Sequence, residues 1–84
     1  MQLLMNYQIA DYAGFKAAFD ADAEDRGNAG LSLLQLWREN DRSAWALFSV
    51  SDAKRANDYL NGPAGVFNAQ AGVRSATLHF VETA

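Results

Sequence analysis

Apolar and polar residues alternate over residues 2–9. Leu3, Met5, Tyr7 and Ile9 share one face, and Gln2, Leu4, Asn6 and Gln8 share the other. Period-two alternation predicts a half-buried strand. Its second face is polar without being charged, an unusual surface to leave open to water. After Asp11 the period changes. Tyr12, Phe15, Phe19 and Ala23 recur at helical spacing with Ala18 beside them, opposite Lys16, Asp20, Glu24 and Asp25. Asp11 suits an N-cap, and Gly27 and Gly30 close the pattern, so one helix is predicted over residues 12–26.

Two apolar, β-compatible runs follow at residues 31–38 and 43–50. Between them Glu39-Asn40-Asp41-Arg42 reads as a hairpin turn, because Asn and Asp tolerate left-handed backbone. A slip of one residue would exchange the two faces. The preferred register groups Leu34, Leu36, Ala46, Phe48 and Val50, and puts Gln35, Trp37, Trp45, Leu47 and Ser49 on the opposite face. Ser51 or Asp52 then caps a second helix reaching Asn61, with Ala53, Ala56 and Leu60 inward. Gly62-Pro63 breaks it. Pro63 suits the first position of a short third helix, which holds Val66 and Phe67 and stops at Gly72. Residues 75–82 alternate again, with Ala76, Leu78 and Phe80 on one face and Ser75, Thr77, His79 and Val81 on the other.

The order β-α-β-β-α-β predicts an α+β, ferredoxin-like domain spanning residues 1–84, with a four-stranded antiparallel sheet and helices on one face. The open face would carry Leu4, Trp37, Trp45, Leu47 and Val81 among its polar residues. An apolar patch of that size marks a binding surface. Packing of one sheet on another, in a homodimer, is the expectation.

Composition strengthens that expectation. Half of the 84 residues are apolar, but sixteen of them are Ala. The core of so short a chain is thin. With no Cys there is no disulfide, thiol nucleophile or Cys-based zinc site. A partner chain is the simplest remaining source of stability. The net charge is −3 and the seven Lys and Arg are scattered, which argues against nucleic acid and anionic lipid as partners. No apolar run approaches the roughly 20 residues of a membrane span, and the first residues do not read as a signal peptide. A cytoplasmic protein is expected.

Several segments then resemble a known group. Asp11-Tyr12-Ala13, Phe15-Lys16, Phe19-Asp20 and Gly30 look like the first helix of small bacterial dimeric α/β-barrel proteins related to the antibiotic biosynthesis monooxygenases. Leu36-Trp37-Arg38 is similar to their second strand. Ser51-Asp52-Ala53, then Gly62-Pro63 with Val66-Phe67, resembles their third-strand exit and broken second helix, and His79-Phe80-Val81-Glu82 their last strand. The resemblance implies a homodimer whose sheets face each other around a small interior. It also implies a range of roles, from cofactor-independent oxidation of polycyclic aromatics to haem cleavage. Asn6 matches an Asn that the oxygenases and haem degraders carry on the first strand. Val50 stands where they place a Trp, and 66–71 lacks the ligating His of the haem degraders. Tight haem binding is therefore not expected.

Candidate chemistry is sparse. His79 is the only His and the group expected to titrate near neutrality. It and Asn6 are the candidates for catalysis, as base and polar anchor. The plain alternative is an interface His. Asn6, Gln8 and Gln35 could orient a ligand carbonyl or hydroxyl, or pair across a dimer. Trp37 and Trp45 could stack an aromatic ligand, with Ser49 and Thr77 beside them. Phe48 reads as core. The acidic run Asp20, Asp22, Glu24 and Asp25 fans around its helix, so no metal site is expected. No carboxylate falls on the open face. Arg26, Arg38, Arg42 and Arg74 read as surface residues. No cofactor is implied. The leading reading is a homodimeric protein that binds a small apolar or aromatic ligand, between sheet and helices or between two sheets. Alternatives are a cofactor-independent monooxygenase or cyclase acting on an aromatic or polyketide-like compound, and an interaction module with a filled barrel.

Overall fold

The computed structural model describes all residues from Met1 to Ala84. Strand β1 (Gln2–Ile9) is followed by helices α1 (Tyr12–Ala21) and α2 (Ala23–Asn28), strands β2 (Leu31–Asn40) and β3 (Ser43–Val50), helices α3 (Ala53–Leu60) and α4 (Ala64–Ala71), and strand β4 (Val73–Val81). The four antiparallel strands lie in the order β2-β3-β1-β4, so β1 and β3 are central and β2 and β4 form the edges. This is the ferredoxin-like arrangement expected from the order of elements. No helix is long and apolar enough to cross a membrane.

Local chemistry sets the element ends. The Asp11 carboxylate accepts from Gly14 N–H at 2.7 Å and starts α1. Asp52 does the same for α3 through Arg55 N–H at 3.1 Å, which settles the choice between Ser51 and Asp52. Gly30 sits at φ +79°, and a Cβ there would lie 2.9 Å from Ser51 Oγ. Only glycine fits both the left-handed backbone and the close pass of the two chain segments. Gly72, at φ +69°, ends α4 in the left-handed conformation common at helix C-termini.

The helix expected over 12–26 is two helices that part at Asp22. The break takes Ala23 to the surface, while Arg26 lies in the core at 6% exposure. Ala53 and Val66 are also exposed, and Tyr59 occupies the inward place beside Ala56 on α3. Strand β2 runs two residues further than expected, leaving Asp41-Arg42 as the turn, and β4 begins at Val73.

The hairpin register agrees with the preferred one on β3, where Ala46, Phe48 and Val50 face the helices. On β2 it is interrupted twice. Leu33 lies opposite Phe48 and Gln35 opposite Leu47, so Leu34 is an extra residue in a β-bulge. It is half exposed and does not join Leu36 in the core. A second irregularity between Arg38 and Asn40 gives Glu39 no partner in the ladder. The core proper joins Leu3, Met5, Tyr7, Ile9, Ala44, Ala46 and Phe48 of the sheet to Phe15, Phe19, Ala56, Tyr59, Phe67 and Ala71 of the helices. Much of it is aromatic. Phe19 lies within 6.3 Å of the rings of Tyr7, Phe15, Phe48 and Phe67. These five large rings offset the low volume of the alanines around them.

Candidate functional site

The strand pairings place the sequence-derived candidates on the open face of the sheet, in rows across the four strands. One row reads Gln35, Leu47, Leu4, His79; the next reads Trp37, Trp45, Asn6, Thr77; Ser49 lies opposite Gln2. Gln8 lies beside Ser43 and Ser75. All eight candidates thus share one surface, but they are not equivalent. Asn6 is 8% exposed and tied into the chain itself. Its Nδ2 donates to Ser43 Oγ at 3.1 Å and to the Ala44 carbonyl at 3.2 Å, and its Oδ1 accepts from Gln8 Nε2 at 2.6 Å. Ser43 Oγ donates to Glu39 Oε1 at 3.1 Å, and Trp45 Nε1 donates to the same oxygen at 2.6 Å. The irregularity in β2 therefore delivers a carboxylate to a face expected to have none. Trp37, Thr77 and His79 are less enclosed on the same face, and His79 makes no side-chain hydrogen bond.

The more enclosed of two concavities lies on the other side of the sheet; the second, an open outer groove beside Asp25, Arg55 and Asp58, is larger at about 480 Å³. A cavity of about 200 Å³ opens between the strands and the helices. Ten of its twelve lining residues are hydrophobic, among them Met5, Phe48, Leu60, Phe67 and Leu78. The strand β1 positions that reach it are Met5 and Tyr7; Asn6, between them, points to the opposite face. The other two lining residues are Arg26 and Asn68, and two of the ten, Tyr7 and Tyr59, carry hydroxyls. Arg26 lies over the Phe19 ring, its Cζ 3.8 Å from the centroid, and its Nη1 donates to the Phe19 carbonyl at 2.7 Å. The same nitrogen stands 3.5 Å from Asp22 Oδ2. That carboxylate oxygen accepts a short hydrogen bond from the Tyr59 hydroxyl. The Tyr7 hydroxyl donates to Met5 Sδ at 3.2 Å, a weak acceptor.

Burial raises both phenols well above their ordinary range, and for Tyr59 the bond to Asp22 adds to the effect. Both stay protonated at neutral pH and can serve as donors, not bases. Arg26 is the one charged residue in the lining.

Neither Arg26 nor Tyr59 stood out in the sequence. Arg26 lies seven residues after Phe19, two helical turns on, and so continues the apolar stripe. Tyr59 lies three after the inward Ala56. Those spacings were the available signals, and the polar ends of both side chains hid them.

Solved structures share this architecture. A point mutant of SnoaB, a cofactor-independent oxygenase from Streptomyces nogalater, superposes with a TM-score of 0.66 at 18% identity, over 99% of this chain and 93% of that one. What the two share is the ferredoxin-like α+β fold. An uncharacterised NIPSNAP domain protein from Burkholderia xenovorans shares it at a TM-score of 0.62 and 15% identity, over 100% and 95% of the two chains. So does MhuD from Mycobacterium tuberculosis, a heme-degrader with two hemes bound in its active site, at 0.55 and 19%, over 94% and 91%. No family model matches the sequence, and no curated protein is significantly similar to it. At these identities the likeness establishes the fold alone and leaves function to the side chains.

Proposed function

We propose that the protein binds a compact aromatic or apolar molecule of one or two rings in the cavity between sheet and helices, and that it works as a homodimer joined through the open faces of two sheets. The cavity carries the reading. Apolar walls with a few convergent polar groups are the usual make-up of a small-molecule site. Size limits the ligand, since an apolar cavity of about 150 Å³ accepts benzene. About 200 Å³ suits one ring with substituents or two fused rings, not a large polycycle.

The open face supports the second half of the reading. Trp37 is 44% and Val81 39% exposed, with Leu4, Trp45 and Leu47 half-buried between them. A binding role is preferred to oxygenation or cyclisation because the cavity holds no side chain able to take a proton near neutrality. His79 stands on the far side of the sheet.

Titration of the uniformly labelled protein with p-cresol, followed by NMR, tests the site. Saturable shifts are expected at Tyr7, Tyr59, Leu60, Phe67 and Leu78. They should disappear in Ala64→Phe, which fills the cavity. An absence of saturable shifts, or shifts confined to Trp37, Trp45 and His79, would overturn the assignment.

A further inference from the structure

We infer that the cavity selects ligands carrying an anionic oxygen, an arenecarboxylate above all, and that Arg26 is the residue that recognises it. The inference rests on the cavity being the binding site. Arg26 carries a guanidinium and is nonetheless 6% exposed. A buried charge is costly unless fully paired, and this one is paired loosely. Its distance to Asp22, 3.5 Å, exceeds the 2.7–2.9 Å typical of a charge-assisted hydrogen bond. Asp22 spends the same oxygen on the Tyr59 hydroxyl. Both protein contacts of the guanidinium go through Nη1, and since no buried side-chain nitrogen or oxygen of the chain lacks a partner, Nη2 and Nε are accessible from outside the protein matrix and free to meet a ligand.

The placement of Arg26 is rigid. The Phe19 ring supports one side of the guanidinium and the Phe19 carbonyl fixes one corner. A planar fork held in this way is pre-organised for the two oxygens of a carboxylate. No acidic side chain lines the cavity to compete. Asp22, outside the lining, meets only the Nη1 corner of Arg26 and shares that oxygen with Tyr59, and Asp25 and Asp58 line a separate outer groove together with Arg55. The Tyr7 hydroxyl, now on a sulfur, and the Asn68 side chain are further cavity groups able to donate to a bound oxyanion.

Two ligands of one shape isolate the charge. p-Toluate and p-toluamide share ring, methyl group and planar head, and differ in that the first is anionic at neutral pH. Affinities from NMR titration are expected to favour p-toluate by about tenfold or more, as hydrogen bonds to charged groups do. The Arg26 Nε–H resonance should shift with p-toluate and stay in place with p-toluamide. In Arg26→Met, with its fold verified by its NMR spectrum, the preference should vanish or reverse. Arg26→Lys should keep part of it. Equal affinities in the native protein, or an unmoved Arg26 resonance, would overturn the selection whatever the variants do. If p-toluamide still shifts the cavity residues in that case, the cavity stands as a ligand site and only its charge preference falls. If neither compound shifts them, both readings fall.

Discussion

The two faces of the sheet draw alternate residues from the same four strands, and they differ in how their side chains are satisfied. On the helix side, Leu3, Phe48, Phe15 and Phe19 are fully buried within one chain, and the space they leave is a cavity. On the open side, burial is partial and polar atoms are paired laterally, from Glu39 through Ser43 to Asn6 and Gln8. The first face is closed by the chain's own helices. The second has the amides of Asn6 and Gln8 paired and Trp37 and Val81 uncovered. Lateral pairing lets a polar face meet a second sheet without stranding buried donors. The helix face is thus expected to govern folding and ligand binding, and the open face assembly.

The largest effect should come from the helix face. Phe19 is 1% exposed, meets four rings and carries Arg26 on its own ring. Phe19→Ala should cost about 3–5 kcal/mol, the usual range for a buried Phe. For a domain this small that is enough to unfold most of the population near body temperature. Thermal melts by circular dichroism would show it. A loss under about 1 kcal/mol would mean that the aromatic cluster is not what holds the helices to the sheet.

A smaller effect on folding, but a larger one on assembly, is expected from Leu47→Lys. Leu47 lies between Gln35 and Leu4 near the middle of the open face. A lysine there should leave the circular dichroism spectrum native. If the open faces pair as proposed, the variant should have half the mass of the native protein in sedimentation equilibrium. It should also lose the dependence of melting temperature on protein concentration that a dimer shows. A native protein already monomeric at micromolar concentration would remove the proposed role of the open face.

How far the sequence reveals these two faces depends on how regular each strand is. On β1, β3 and β4, period two is unbroken where it matters, and the candidates from Asn6 to His79 on those strands fall on the expected side. On β2 a bulge moves Leu34 out of the core, and an irregularity turns Glu39 onto the open face. Neither is visible in alternation alone, since a bulge adds a residue without changing composition. The cavity was harder to foresee. Its polar members, Arg26 and Tyr59, are surface types by composition, and their burial depends on how the helices pack. Asp22 and Tyr59 are 37 residues apart, so the pairing exists only after the helices have packed.

The smallest expected effects separate the two polar residues that resemble each other most in sequence. Asn6 and His79 are both polar and lie on the same face, on neighbouring strands. Asn6 has its amide nitrogen on two acceptors and its oxygen on Gln8, whereas His79 is exposed and unpaired. Asn6→Leu breaks the middle of the lateral network and removes a donor from Ser43 and Ala44. It should destabilise by about 1–2 kcal/mol even in a monomeric Leu47→Lys background, because the bonds lost lie within one chain. His79→Phe in that background should change stability by no more than about 0.5 kcal/mol, as a surface substitution does. In the dimer the same change adds an apolar ring beside Leu4, where a second sheet would cover it, and should raise the melting temperature slightly with protein concentration. Equal and concentration-independent losses in the two variants would place His79 inside the intrachain network. The difference between the amide and the imidazole would then not mark the border between fold and interface.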